Sequence, residues 1–100
     1  MTSGGASRRD IDIVREIVVV NKLGLHARAA AKLVKMTAAY RCAIRLDFND
    51  KTADAKSIMG VMMLAAAQGS ELKLTARGDD AGRAADAVCK LFAERFGEGE

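Results

Sequence analysis

The chain contains a single histidine, His26, and the stretch "GLHARAAAKLV" at residues 24 to 34 sets it where helical periodicity begins. Helix starts usually carry Ser, Thr, Asp or Asn, whose side-chain oxygen accepts a hydrogen bond from the free N–H groups of the first turn. Histidine does this poorly, so its position asks for another chemistry. The unpaired first-turn donors and the helix dipole together favour an anion at this place. A neutral imidazole that attacked a phosphoryl group would become a phosphohistidine here, and the phosphate would supply the missing cap. Arg28 can reach the same oxygens with its planar fork of donors. Gly24 permits a tight or left-handed approach that lets the ring stand clear of the backbone. The backbone donors expected to hold the phosphate are those of Ala27 and Arg28. On spacing alone, a surface histidine at an indifferent cap stays open as the bland alternative.

Other chemistries find less in the sequence. No second histidine and no Cys/His/Glu cluster offers the ligand count of a metal site. A hydrolase would need a nucleophile elbow, and nothing resembles one. No metal and no cofactor are therefore expected. Cys42 and Cys89 fall in apolar periodic positions without a C-x-x-C, which reads as buried, reduced thiols. Ser57 opens "SIMGVMMLAA" and suits a helix N-cap.

Net charge is +3, and its distribution says more than its sum. From Glu16 to Asp47 the chain carries Lys22, Arg28, Lys32, Lys35, Arg41 and Arg45 with no acid between them, whereas the end, "GEGE", is acidic. Such polarity can steer an acidic protein, an anionic ligand or nucleic acid. With only 4% aromatic residues and an acidic last third, nucleic acid is not expected as a partner. No run approaches the ~20 apolar residues of a membrane span and no signal-peptide pattern opens the chain, so a cytoplasmic protein without a membrane partner is expected. One hundred residues, half of them apolar, suit one domain over residues 11–100, preceded by a disordered Gly/Ser-rich arm over residues 1–10.

The elements that must position His26 follow from periodicity. "REIVVVN" is a β-branched run whose weak alternation predicts a strand covered on both faces or placed centrally. The helix after His26 has Ala30, Leu33, Val34 and Thr37 on one face and a basic stripe of Arg28, Lys32 and Lys35 elsewhere. "RCAIRLDFN" alternates, with Cys42, Ile44, Leu46 and Phe48 inward, and "NDKTADA" turns back into a short hairpin strand. A second helix from Ser57 is expected to bury Ile58, Val61, Met62, Ala65 and Ala66 and to end near Gly69. "SELKLTARGDD" alternates again with Leu72, Leu74 and Ala76 inward before Gly78 turns the chain. The last helix places Ala81, Ala84, Ala85, Val88, Leu91 and Phe92 on one face. The order is βαββαβα. Alternating strands mean a sheet wet on one face, so the prediction is an α+β open-faced two-layer sandwich, a four-stranded antiparallel sheet covered on one face by three helices.

"NKLGLHARAAAKLV" together with "AKSIMGVMMLAAAQGSEL" resembles the HPr phosphocarrier family of the phosphoenolpyruvate-dependent phosphotransferase system, from about residue 14 to about residue 96. The resemblance implies that His26 takes a phosphoryl group on Nδ1 from phosphorylated enzyme I and passes it to an enzyme IIA protein, with Arg28 as electrostatic partner. It also implies that Ser57 stands where many bacteria phosphorylate this family through an HPr kinase/phosphorylase. The family commonly has Pro after H-A-R where this chain has Ala29. A first-turn Pro lacks an N–H, so Ala29 keeps the helix and adds a donor facing the anion. The H-A-R-A form resembles carriers of the nitrogen-related branch, called NPr, as well as some proteobacterial HPr proteins, so it leans towards regulation and leaves sugar uptake open. Met59 and Met63 fall beside the inward stripe of the second helix. With Lys32 and Lys35 they form a candidate docking face next to His26, since exposed Met adapts to several partners, while core filling is the other reading of either methionine. The competing reading is a basic α/β module that binds an acidic protein or nucleic acid, with His26 incidental.

Overall fold

The computed structural model describes residues 12–99, so the arm expected over residues 1–10 lies outside the described residues. The elements are β1 (Asp12–Val18), α1 (Ala27–Thr37), β2 (Ala43–Phe48), β3 (Lys51–Asp54), α2 (Ile58–Met63), β4 (Glu71–Arg77) and α3 (Ala81–Ala93), and a 3-10 turn, Arg95–Gly97, follows α3. The sheet order is β1-β4-β2-β3 with every neighbouring pair antiparallel. Three helices cover one face, as the alternation of β2 and β4 requires.

Period-two alternation puts Ile44 and Leu46 of β2 and Leu72, Leu74 and Ala76 of β4 under the helices. The register sets Leu46 opposite Leu74 and Ile44 opposite Ala76, so the inward rows of the two central strands meet directly. A slip of one residue would turn the inward row of the slipped strand to water. Each fully buried leucine contributes about 1.5–3 kcal/mol, which is why this register wins. From above, α1 buries Ala29, Ala30, Leu33 and Thr37, and α3 buries Ala81, Ala84, Ala85, Val88 and Phe92. Val34 and Leu91, expected inward, are half-buried at the borders of these faces.

Two expectations are corrected. β1 is an edge strand paired with β4, neither central nor covered on both faces, and its Val14 and Val18 are exposed. Its β-branched run reflects strand propensity, since within the strand Ile17 alone is buried. The second helix does not reach Ala66. It stops at Met63, because Ala65 takes a left-handed conformation (φ 54°) and breaks the ladder. In six residues α2 turns only Val61 fully into the core, while Ile58 and Met62, expected inward, are exposed. Ala65 is exposed too, although Leu64 and Ala66 are buried beyond the helix end. Gly69 caps no helix; its N–H donates to Val19 O at 2.7 Å and ties the loop after α2 to the end of β1.

Candidate functional site

His26 stands at the end of a loop that the neighbouring loop holds in place. Leu25 N–H donates to Ala66 O at 2.9 Å. Gly24 lies at φ +68°, and a Cβ there would stand 2.6 Å from Ala66 O and 2.9 Å from Ala67 Cα. This position therefore needs glycine twice, for its dihedral and for the close approach of two backbones. Asn21, fully buried, bridges the loop by donating from Nδ2 to Gly24 O at 2.8 Å.

The ring that this loop delivers is the N-cap residue of α1. His26 is extended (φ −75°, ψ 177°), its carbonyl accepts the N–H of Ala30 at 2.9 Å, and its side chain makes no capping bond. The N–H groups of Ala27, Arg28 and Ala29 thus precede the first intrahelical bond, and no acidic residue occupies the first turn. Beside them opens a depression of about 740 Å³ walled by Lys22, Leu23, His26, Ala27, Arg28, Lys32, Gly97 and Glu98. Arg28 is exposed in this wall and makes no hydrogen bond or ion pair among the described residues, so its guanidinium is available to an incoming anion.

Sequence reasoning missed the far wall. The chain after α3 folds back over the site, and Glu98 reaches it: Oε2 accepts from His26 Nε2, and Oε1 accepts from Asn21 Nδ2 at 3.1 Å. Lys32, read from its stripe as a docking cation, donates from Nζ to Phe96 O at 2.6 Å and fastens this segment. Phe96 is buried against Phe92, ring centroids 4.8 Å apart. Arg95 and Phe96 both take left-handed conformations (φ 56° and 55°), which cost about 1–2 kcal/mol each in a side-chain-bearing residue and persist where the surroundings hold them. Burial raises the Glu98 carboxyl, but hydrogen bonds from Asn21 and His26 and the nearby charge of Lys32 outweigh it and hold the group below its ordinary value. The acidic end was visible in the sequence; its return to His26 was not, because nothing local encodes a contact 72 residues apart.

The remaining candidates lie on the helices beside the site. Lys35 is exposed in the last turn of α1. Met59 and Met63 are exposed on α2, which packs against α1, and Leu23 of the depression adds a further exposed apolar group. Ser57 caps α2, its Oγ accepting the N–H of Gly60 at 3.0 Å. Cys42 is buried, and burial and then Asp80 push its thiol up to about 11, whereas Cys89 is only half-buried.

The chain matches, over residues 13–94, the family described as "PTS HPr component phosphorylation site". It is 50% identical over 86 residues to a phosphocarrier protein HPr of Cupriavidus necator, covering 86% of this chain and 97% of that one. A phosphocarrier protein NPr of Shewanella violacea is 39% identical over 84% of this chain and 92% of its own. Among solved structures, an HPr of Thermoanaerobacter tengcongensis superposes with a TM-score of 0.83 at 41% identity, over 86% of this chain and 97% of the other. Fold and relatives together define a phosphocarrier of the phosphotransferase system. The chain belongs to the HPr family. That membership does not favour the alternative of a basic module with an incidental histidine. Glu98 lies beyond the residues that match the family.

Proposed function

We propose that His26 is the phosphoryl acceptor, taking the group on Nδ1 from phosphorylated enzyme I and passing it to an enzyme IIA protein in the cytoplasm. The carrying observation is a histidine at a helix start whose side chain caps nothing, with first-turn N–H groups and a free Arg28 beside it. The Nδ1 lone pair attacks phosphorus, the donor's P–N bond breaks, and its electron pair stays on the donor imidazole. The N–H groups of Ala27 and Arg28 and the Arg28 guanidinium then hold the phosphoryl oxygens, and the same step reversed hands the group on. Gly24 keeps the ring in place for both. Neither a general base for water nor a metal enters the step, which suits exchange between histidines.

Docking is assigned to the face formed by Lys32, Lys35, Met59 and Met63. Lys32 serves it through its stem, its ammonium being held by Phe96 O. The H-A-R-A form supports service in a nitrogen-related, regulatory branch, and Ser57 is the site open to an HPr kinase/phosphorylase, since a phosphate at a helix start is electrostatically favoured. Incubation with phosphoenolpyruvate and a competent enzyme I should give an acid-labile, alkali-stable label that His26→Ala abolishes. An unlabelled wild-type protein refutes the reading. Comparing onward transfer to sugar-type and nitrogen-type enzyme IIA proteins tests the branch.

A further inference from the structure

We propose that Glu98 is a positioning residue for His26: its carboxylate takes the Nε2–H of the ring, fixing the orientation that leaves Nδ1 as nucleophile and offsetting the charge that develops on the ring. The inference rests on the phosphocarrier reading and adds to it a residue outside the family-matched stretch.

Two donors converge on the two oxygens of one carboxylate, His26 Nε2 on Oε2 and Asn21 Nδ2 on Oε1 at 3.1 Å. A carboxylate accepts at both oxygens, whereas an amide must set an NH₂ against one of these donors. Asn21 cannot turn to suit it, because Nδ2 also donates to Gly24 O at 2.8 Å, inside the loop that carries His26. Its Oδ1 stays buried without a partner, so the two acceptors alone select the amide's orientation. Glu98 arrives through a chain reversal at Arg95, Phe96 and Gly97 (φ 56°, 55° and 75°), anchored by the buried Phe96 ring and by Lys32 Nζ on Phe96 O at 2.6 Å. The other charged groups in the walls are Lys22, Arg28 and Lys32, all basic, so Glu98 is the only carboxylate facing the ring among the described residues. Among these residues the other ring nitrogen, Nδ1, has no protein partner.

With Nε2–H held by a carboxylate, the ring can gain positive character as Nδ1 bonds to phosphorus and the donor's P–N bond breaks. In the return step the ring, still carrying its Nε2 proton, is the better leaving group as its own P–N bond breaks towards the next acceptor. Orientation and charge compensation of an imidazole by a carboxylate is a general device, and losing such a partner costs about ten- to a hundredfold at metal-ligating histidines and about 10⁴-fold at the histidine of a catalytic triad.

The test compares wild type, Glu98→Gln, Glu98→Asp and Glu98→Ala as substrates of enzyme I with phosphoenolpyruvate, and follows the His26 Nε2–H proton by NMR. The expected result is a kcat lower by about ten- to a hundredfold in Glu98→Gln and Glu98→Ala, a KM within about twofold of wild type, and partial recovery in Glu98→Asp. The Nε2–H signal should be protected from solvent exchange in wild type and lost in Glu98→Gln. Wild-type kcat in Glu98→Gln, or an effect confined to KM, overturns the assignment while leaving the phosphocarrier reading intact. Absence of label on the wild type overturns that reading, and an exchange-unprotected Nε2–H in wild type overturns the contact itself.

Discussion

Replacing Gly24 with alanine tests the claim that two backbones pressed together deliver His26. The new Cβ would meet Ala66 O at 2.6 Å and Ala67 Cα at 2.9 Å, distances that force one of the loops to move. Three effects add. Alanine at φ +68° costs about 1–2 kcal/mol; parting the loops weakens the 2.9 Å bond from Leu25 N–H to Ala66 O, worth about 0.5–1.5 kcal/mol; and the residual overlap adds about 1 kcal/mol or more. The sum, about 2.5–4.5 kcal/mol, would lower the midpoint of thermal unfolding by about 10–35 °C for a domain of this size. Gly69→Ala is the control, because its φ is also positive (+91°) but nothing lies within 4 Å of a Cβ; it should cost the dihedral term alone. Urea and thermal unfolding of both variants measure the difference, and phosphoryl acceptance by folded Gly24→Ala at low temperature measures the displacement of His26. If Gly24→Ala loses no more stability than Gly69→Ala, the close approach does not brace the site.

Arg28→Ala should leave unfolding within about 0.5 kcal/mol of wild type, as the side chain has no protein partner, while phosphoryl acceptance falls at least tenfold. Ser57→Ala should cost about 1 kcal/mol by removing the acceptor of Gly60 N–H, read as a lower denaturation midpoint. Asp80 ties the start of β2 to α3, and bonds from the backbone N–H of Arg41 and then Cys42 hold its carboxyl below the ordinary 3.8. Because the folded value is the lower one, this stabilisation is complete above 3.8 and is lost as pH falls through the folded value; a pH titration of stability should therefore fall less steeply in acid for Asp80→Asn than for wild type. Replacing Met59 and Met63 together by Asp should raise the KM for enzyme I about tenfold with stability unchanged, since both side chains are exposed.

Periodicity carried the parts of the fold that are local. The inward rows of β2 and β4 were legible because each residue's face follows from its neighbours two places away, and the face of α1 because it follows from residues three and four away. The end of α2 is not legible, because Ala65 gives no sign in its type of a left-handed turn, and periodicity therefore places Ile58 and Met62 on a face the short helix does not bury. The edge position of β1 is not legible either, because β-branched residues mark a strand without saying how many neighbours it has.

The site divides the same way. That His26 begins a helix without a capping side chain, with Arg28 two residues on, follows from the local sequence, because helix start, donor and nucleophile are set within one turn. The partners that hold the ring are a matter of tertiary structure. Asn21 becomes a bridge only when its loop closes, Lys32 becomes a fastener instead of a free cation only when Phe96 packs on Phe92, and Glu98 reaches Nε2 only when the chain after α3 reverses over α1. Such contacts join residues far apart in the chain, and their energy exists only once the core between them has formed.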